Sequence, residues 1–537
     1  MKIHASAAEG ELPRRAVVAS LIGIMATMLM AALDATIVGT AMPRVIADLQ
    51  GFDHYTAVTT VYLLASTVVL PLAGKLSDLY GRKPFLLAGV TIFAVASALC
   101  GAAQTMTQLV VFRGIQGLGG GIATGMAFTT IADLYPPAQR GRISGVMGSV
   151  FGFASVAGPA IGGFLTDGPG WRWCFYVNVP IGIAAFIVLW TQFPHLVSAR
   201  REKPSIDWPG AATLVLAVIP VLLALSWAGR DYAWSSPVVI SLLTFGLLMA
   251  ALFLRVETRA RDAIIPPAMF RNRVIWTSAL AATAIAMAMF GTTLFIPLFI
   301  QGVIGASASR SGAIMTPMMI TLIVSSILSG QMMSRLGKYK SIALTGVATT
   351  VAGMMLLVRM DVSTTYSTVL LNMMVIGAGL GVTMPVFTLS VQNAVDIRQV
   401  GVATSSIQFL RTIGGSIGAA VFGAMLSNRF APALQAALPA ATARALPAGT
   451  MATLGNPQAL MNPELLARLS ASPAGAPVLA SLKRALAVSL HDVFLAGVLL
   501  LLVALAAASM LVDVPLRATN RVAPDDGEAR LGSFAEL

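Results

Sequence analysis

Apolar runs of about twenty residues, separated by short polar turns, repeat along this chain and constrain it more than any other feature. A helix needs about 20 mostly apolar residues to cross the hydrocarbon core of a bilayer. Fourteen runs of that kind fall roughly at 16–40, 57–76, 84–103, 108–132, 143–167, 172–194, 208–228, 237–256, 275–299, 311–334, 342–360, 368–391, 403–427 and 488–512. The first follows Pro13-Arg14-Arg15 but runs past Asp34, longer than a signal-peptide core, and reads as a retained membrane helix. With 57% hydrophobic and only 11% charged residues, the chain lacks the charge to cover a soluble surface of its size.

The net charge of +13 is spread in short clusters between the apolar runs, not along one stripe, so it argues for membrane orientation and against nucleic acid. If both termini are cytoplasmic, the inside loops collect Lys75, Arg82, Lys83, Arg140, Arg142, Arg200, Arg201, Lys203, Arg255, Arg259, Arg261, Arg271, Arg273, Arg335, Lys338, Lys340 and Arg398. The outside loops hold only Arg44, Arg172, Arg230, Arg310 and Arg359. The bias predicts an all-α, multi-pass integral membrane protein with both ends inside.

One offset, 256 residues, pairs Gly74 with Gly330, Gly81 with Gly337, Arg82 with Lys338, Gly121 with Gly377, Gly158 with Gly414 and Gly162 with Gly418. This reads as a duplicated six-helix bundle. The expected organisation is a tail at 1–15, a first bundle at 16–194, two inserted helices with linkers at 195–274, a second bundle at 275–512 and a tail at 513–537. Within the second bundle, 428–487 is expected as a long outside loop that partly extends the last two helices or lies on the membrane surface, Pro463–Leu469 and Pro477–Leu490 having helical spacing. It is also a candidate docking surface for an outside partner.

Asp34 is the one carboxylate well inside a predicted span, where a charge costs roughly 2.5–3.5 kcal/mol on the lenient insertion scale. Arg113, near the start of the fourth span, sits at a matching depth, about 7–9 Å from the outer edge at about 1.5 Å per residue. The residues leave two readings open, a static ion pair and a proton-dependent switch. The turn Gly74–Pro84 lies between two spans. Its Asp78 could dock on the N-terminus of the thirteenth span near Gly401-Val402-Ala403, and Asp133 could pair with Arg82 or Arg142. These residues form a candidate latch; the alternative is a plain cytoplasmic turn. Gly152, Gly158, Pro159, Gly162 and Gly163 in the fifth span suit either a kinked seal or ordinary small-residue packing. Arg411 is a second buried cation with no acid of matching depth; Thr36, Gln116, Asn372, Gln408 and Arg411 are candidates to line a cavity.

No enzyme constellation is present. His4, His54, His195 and His491 are scattered, HExxH and GxSxG are absent, and Cys100 and Cys174 offer neither a redox motif nor metal spacing.

Leu33-Asp34-Ala35-Thr36-Ile37-Val38, Gly74–Pro84, Arg113–Gly121 and Gly158-Pro159-Ala160-Ile161-Gly162-Gly163, in that order, resemble the motif set of the major facilitator superfamily, in particular its fourteen-helix drug:proton antiporters of the EmrB/QacA type. Trp171-Arg172-Trp173 and Asn178-Val179-Pro180 are similar to that group as well. The resemblance implies the major facilitator fold, two six-helix bundles related by a pseudo-two-fold plus two inserted helices. It implies proton coupling at Asp34, proton transfer at Arg113, stabilisation of the outward-facing state by Gly74, Asp78, Gly81, Arg82 and Asp133, and antiport through Gly158-Pro159. The second copy of the turn has Ser334 in place of Asp78, and the tenth span has no acid before Arg335, so dication export is not expected. The expected function is proton-coupled export of amphipathic, lipophilic small molecules by a monomer in the bacterial inner membrane, driven by the proton gradient without cofactor or metal. The alternatives are export of one physiological compound, such as a lipid, siderophore or self-made antibiotic, and a non-transporting membrane scaffold.

Overall fold

The computed structural model describes residues 13–516 apart from 50–54, 195–204, 230, 307, 397–398, 440–453, 458–459, 461–468 and 470–474. Arg200, Arg201, Lys203, Arg230, Arg398, His4, His195, most of Pro463–Leu469 and most of both expected tails lie outside the described residues.

The apolar runs form helices because a backbone in hydrocarbon must satisfy its own polar groups. In chain order they are α1 (Arg14–Leu49), α2 (Tyr55–Tyr80), α3 (Arg82–Ala102), α4 (Met106–Leu134), α5 (Pro137–Asp167), α6 (Trp173–Gln192), α7 (Trp208–Trp227), α8 (Pro237–Glu257), α9 (Arg273–Phe299), α10 (Ala308–Leu336), α11 (Lys340–Val358), α12 (Tyr366–Asn393), α13 (Val400–Ala437) and α14 (Gly475–Ser509). Among the described residues thirteen helices are long and apolar enough to cross a membrane. The remaining one, α4, carries Arg113, Gln116 and a glycine run, and packs between α2 and α3. Protein covers the polar composition that would be costly against lipid. Elsewhere large apolar side chains face outward, Phe164 at 76% and Trp190 at 61% exposure, as suits a hydrocarbon solvent.

The duplication is visible in the packing. In the first half α1 packs on α5, α2 on α4, and α3 on α4 and α6; in the second, α9 packs on α13, α10 on α12, and α11 on α12 and α14. The α2–α3 and α10–α11 turns each pivot on a left-handed glycine, Gly81 (φ 94°) and Gly337 (φ 65°), the same position in the 256-residue repeat. Between the halves, α5 packs on α10 and α2 on α13. The inserted pair α7–α8 lies over that second seam: Leu214, Val218, Leu222 and Phe253 share an apolar cluster with Leu64 and Val68 of α2 and Phe409 of α13.

Several basic residues at the charged-turn end close helix termini. Lys83 donates to the Trp190 and Phe193 carbonyls, both at 2.8 Å, and Arg140 to the Ala132 and Tyr135 carbonyls at 2.7 and 2.9 Å. These are the last carbonyls of α6 and α4, where a cation is favourable.

The loop expected over 428–487 is shorter than that. α13 continues to Ala437 and α14 begins at Gly475, so both ends of the stretch are helical. Leu454, Leu460 and Leu469, between them, are buried in the second half's core, because leucines in this stretch have apolar surface to lose. The tail expected from residue 513 starts bound. Asp513 accepts from the Tyr339 and Lys340 N–H groups at 3.1 and 2.8 Å, capping α11. The Tyr339 hydroxyl donates to the Val512 carbonyl and accepts from the Val514 N–H, and burial pushes its phenol up to about 12.

Candidate functional site

Asp34 is fully buried in α1 and receives donors from two other helices. Arg113 Nη1 of α4 lies 2.6 Å from Oδ2, Gln116 Nε2 of α4 lies 2.8 Å from Oδ1, and Asn178 Nδ2 of α6 lies 3.0 Å from Oδ1. Gln116 sits one turn after Arg113, so both reach α1 from one face of α4. Gln116 also accepts from Arg113 at 2.7 Å and donates to Ser97 of α3 at 2.7 Å. Tyr62 of α2 stacks on the other side of the guanidinium, 4.3 Å from ring centre to Cζ. Two helices besides α1 thus reach the carboxylate directly, and α2 and α3 hold the α4 donors in place. Arg113 Nε and Asn178 Oδ1 are buried without hydrogen-bond partners. That leaves the network short of saturation.

The structure brings Asp34, Arg113 and Gln116 together but gives Gln116 a place inside the buried network, not on a cavity wall. Thr36 is a clasp between helices: its hydroxyl lies 3.1 Å from the Ala154 carbonyl of α5, and a Cβ at Gly158 would overlap it. Gly162 faces Thr40 in the same way. Gly152 instead faces Ile323 of α10 in the other half, Gly163 has nothing within 4 Å, and α5 runs unbroken through Pro159. Asn372 donates to the Leu356 carbonyl of α11 at 3.3 Å, away from Arg411. Arg411 donates to Gln408 Oε1 at 2.9 Å.

Sequence reasoning gave no role to Asn178, Tyr62 or Ser97. Asn178 enters the sequence reading only within the Asn178-Val179-Pro180 resemblance. A polar side chain at the start of a span was the available signal.

The second cluster closes the charged-turn end. Arg82 forms ion pairs with Asp78 and, at 2.7 Å, with Asp133, and donates to Ser77 Oγ at 2.6 Å. Asp78 Oδ2 accepts from the Val402 N–H at 2.8 Å, so a carboxylate of the first half caps α13 of the second. The backbones must be close for this. A Cβ at Gly401 would overlap the Asp78 carboxylate, and one at Gly74 would overlap the Ser405 hydroxyl. On the other seam, Gly141 of α5 and Gly330 of α10 lie back to back with no room for a Cβ on either. The two halves are therefore in direct backbone contact at this end.

Away from that end, Asp48 of α1 accepts from Trp171 Nε1 at 3.0 Å and Arg172 Nη1 at 2.7 Å. This fastens α1 to the start of α6 within the first half.

The sequence profile described as Major Facilitator Superfamily matches residues 24–419. The chain is 39% identical over 534 residues to the multidrug transporter protein MdtP of Bacillus subtilis (strain 168), covering 97% of each chain. It is 38% identical over 439 residues to multidrug resistance protein 3 of the same organism, covering 82% of this chain and 85% of that one. Among solved structures, the human organic anion transporter MFSD10 (TETRAN) superposes with a TM-score of 0.57 at 15% identity, over 91% of this chain and 99% of that chain. At that identity the likeness concerns the fold alone.

Proposed function

The chain belongs to the Major Facilitator Superfamily, and from that premise we propose that it is a proton-coupled exporter, a drug:proton antiporter for amphipathic, lipophilic small molecules. It is a multi-pass membrane protein, and relatives named as multidrug transporters over nearly its whole length support the export reading. The Lys and Arg bias of the loops supports placing both termini in the bacterial cytoplasm. No cofactor enters the scheme; the proton gradient supplies the work.

The observation that carries the coupling is Asp34, 0% exposed, ion-paired to Arg113 and held by two further amide donors. Adding a proton removes the negative charge on which all three donors converge, so the pair loses most of its mutual attraction in a low-dielectric site. Arg113 then keeps its stack on Tyr62 and its bond to Gln116 but loses its counter-charge. Because Asp34 is sealed, proton exchange requires α1 to move relative to α4 and α6. The contacts that oppose such motion at the charged-turn end are the Asp78–Val402 cap on one seam and the Gly141–Gly330 approach on the other. With that end placed in the cytoplasm by the Lys and Arg bias, its closure supports reading this as the outward-facing state of an alternating-access cycle. Protonation from outside and release inside would then alternate with opening at each face.

The test is proton release from acid-loaded proteoliposomes on adding lipophilic cations and neutral drugs, with wild type and Asp34→Asn side by side. Release in wild type alone supports antiport through Asp34. Equal uphill export by the variant removes Asp34 from the coupling.

A further inference from the structure

Asp34, Arg113 and Arg411 are charged residues placed well inside the spans, and the first two neutralise one another. Arg411 is different. Its guanidinium meets Gln408, and among the described residues no ion pair includes it. The Thr412 and Ser416 hydroxyls beside it donate to carbonyls of their own helix and offer no counter-charge.

Helical spacing sorts α13 into faces around this residue. Phe409, Leu410 and Ile413 join the apolar cluster formed with α2 and α7. Gly414 and Gly418 press on Thr283 and Met287 of α9. Gln408, Arg411, Thr412 and Ser416 share the remaining stripe. All four are half-buried, whereas Arg113 is packed shut at 2% exposure. α13 packs on α2 and α4 of the first half and on α9 of its own, which places the helix that carries the stripe at the junction of the halves. One turn beyond Arg411, Gly415 is covered by Phe290 of α9, an aromatic side chain left 47% exposed.

We propose that Arg411 recognises an anionic head group, a carboxylate or sulfonate, on an otherwise aromatic substrate, with Gln408 holding the guanidinium and Phe290 supplying an apolar wall. The assignment rests on the exporter reading above and narrows its substrate class. A guanidinium presents two parallel N–H groups that fit such an anion. In a low-dielectric seam an unneutralised cation attracts anions strongly and repels lipophilic cations. The Asp34 charge is already committed to Arg113, Gln116 and Asn178.

The test compares two fluorescent probes with one aromatic body, 1-anilinonaphthalene-8-sulfonate and the uncharged N-phenyl-1-naphthylamine, titrated into the full-length protein in lipid nanodiscs with empty discs subtracted. Wild type is expected to bind the sulfonate at least about tenfold more tightly than the amine. Arg411→Gln should abolish that preference while amine affinity stays within about twofold, which also reports that the variant is folded. Arg411→Lys should keep part of the preference. Equal affinities in wild type, or a preference that survives Arg411→Gln, overturns the assignment. Flux of the same probes and a lipophilic cation in proteoliposomes separates the two readings. Proton-driven export of the amine or cation without preferred binding of the sulfonate sinks the Arg411 assignment alone. Preferred sulfonate binding without proton-driven flux of any probe sinks the exporter reading and leaves the anion site standing.

Discussion

The Asp78 carboxylate in α2 accepts the Val402 N–H of α13 at 2.8 Å, so a side chain of one half occupies the helix terminus of the other. The same carboxylate is ion-paired to Arg82, which is anchored independently by Asp133. Asp78→Asn therefore weakens the bridge between halves while leaving Arg82 in place. Loss of a charge-assisted hydrogen bond is worth about 1.5–3 kcal/mol, enough to shift an open–closed equilibrium by about tenfold or more. A cysteine at Ser329, 2% exposed beside the Gly141–Gly330 contact, should react correspondingly faster with maleimide in detergent in the Asp78→Asn background. Cys100 and Cys174 are buried and give little competing signal. An unchanged labelling rate would mean that the bridge does not hold this end shut.

The Asp34–Arg113 pair makes a prediction about stability as well as transport. Arg113→Ala leaves a fully buried carboxylate without its counter-ion and should cost about 3–5 kcal/mol. Adding Asp34→Asn removes that charge and should recover much of the loss, measured by thermal unfolding in detergent. Independent, additive effects of the two substitutions would show that the contact carries little energy.

Asn178 donates to the same carboxylate from a third helix. Asn178→Ala removes one of three donors from a buried charge and should lower thermal stability in detergent by about 1.5–3 kcal/mol, the worth of a hydrogen bond to a charged group. In an Asp34→Asn background the further loss should shrink, because the charge it serves is gone. An equal cost in both backgrounds would assign Asn178 to packing alone.

Asp513 caps α11 through two backbone donors far from either seam. Asp513→Ala should lower stability by about 0.5–2 kcal/mol, the usual worth of such a cap, and leave the transport rate of the surviving protein unchanged. A transport defect at full stability would contradict this.

Charges were the legible part of the sequence. A carboxylate or guanidinium in a span is expensive enough to demand a partner, and depth along α1 and α4 brought Asp34 to Arg113 before any coordinates. Glycines were nearly as informative, since Gly74, Gly81, Gly330 and Gly337 repeat at one offset and sit where backbones touch or turn. Asn178, Tyr62 and Ser97 escaped notice because a neutral polar group in a helix raises no comparable demand, and helical spacing does not say which way α2, α3 and α6 are rotated. Gln116, expected on a cavity wall, is fully buried for the same reason: its neighbours come from other helices. Helical spacing in Pro477–Leu490 announces the extension of the last helix after Asn428, while the burial of Leu454 and Leu460 depends on a surface formed by distant helices.

The position of Asp513 also orders assembly in time. Every donor to Asp34 comes from a residue before 179, so the first bundle can complete its charged network while the remainder is still being made. The second bundle has no such independence: Lys340 waits 173 residues for the carboxylate that caps its helix. Synthesis must pass residue 513 before α11 acquires its native start, so that helix waits on sequence far beyond its own end.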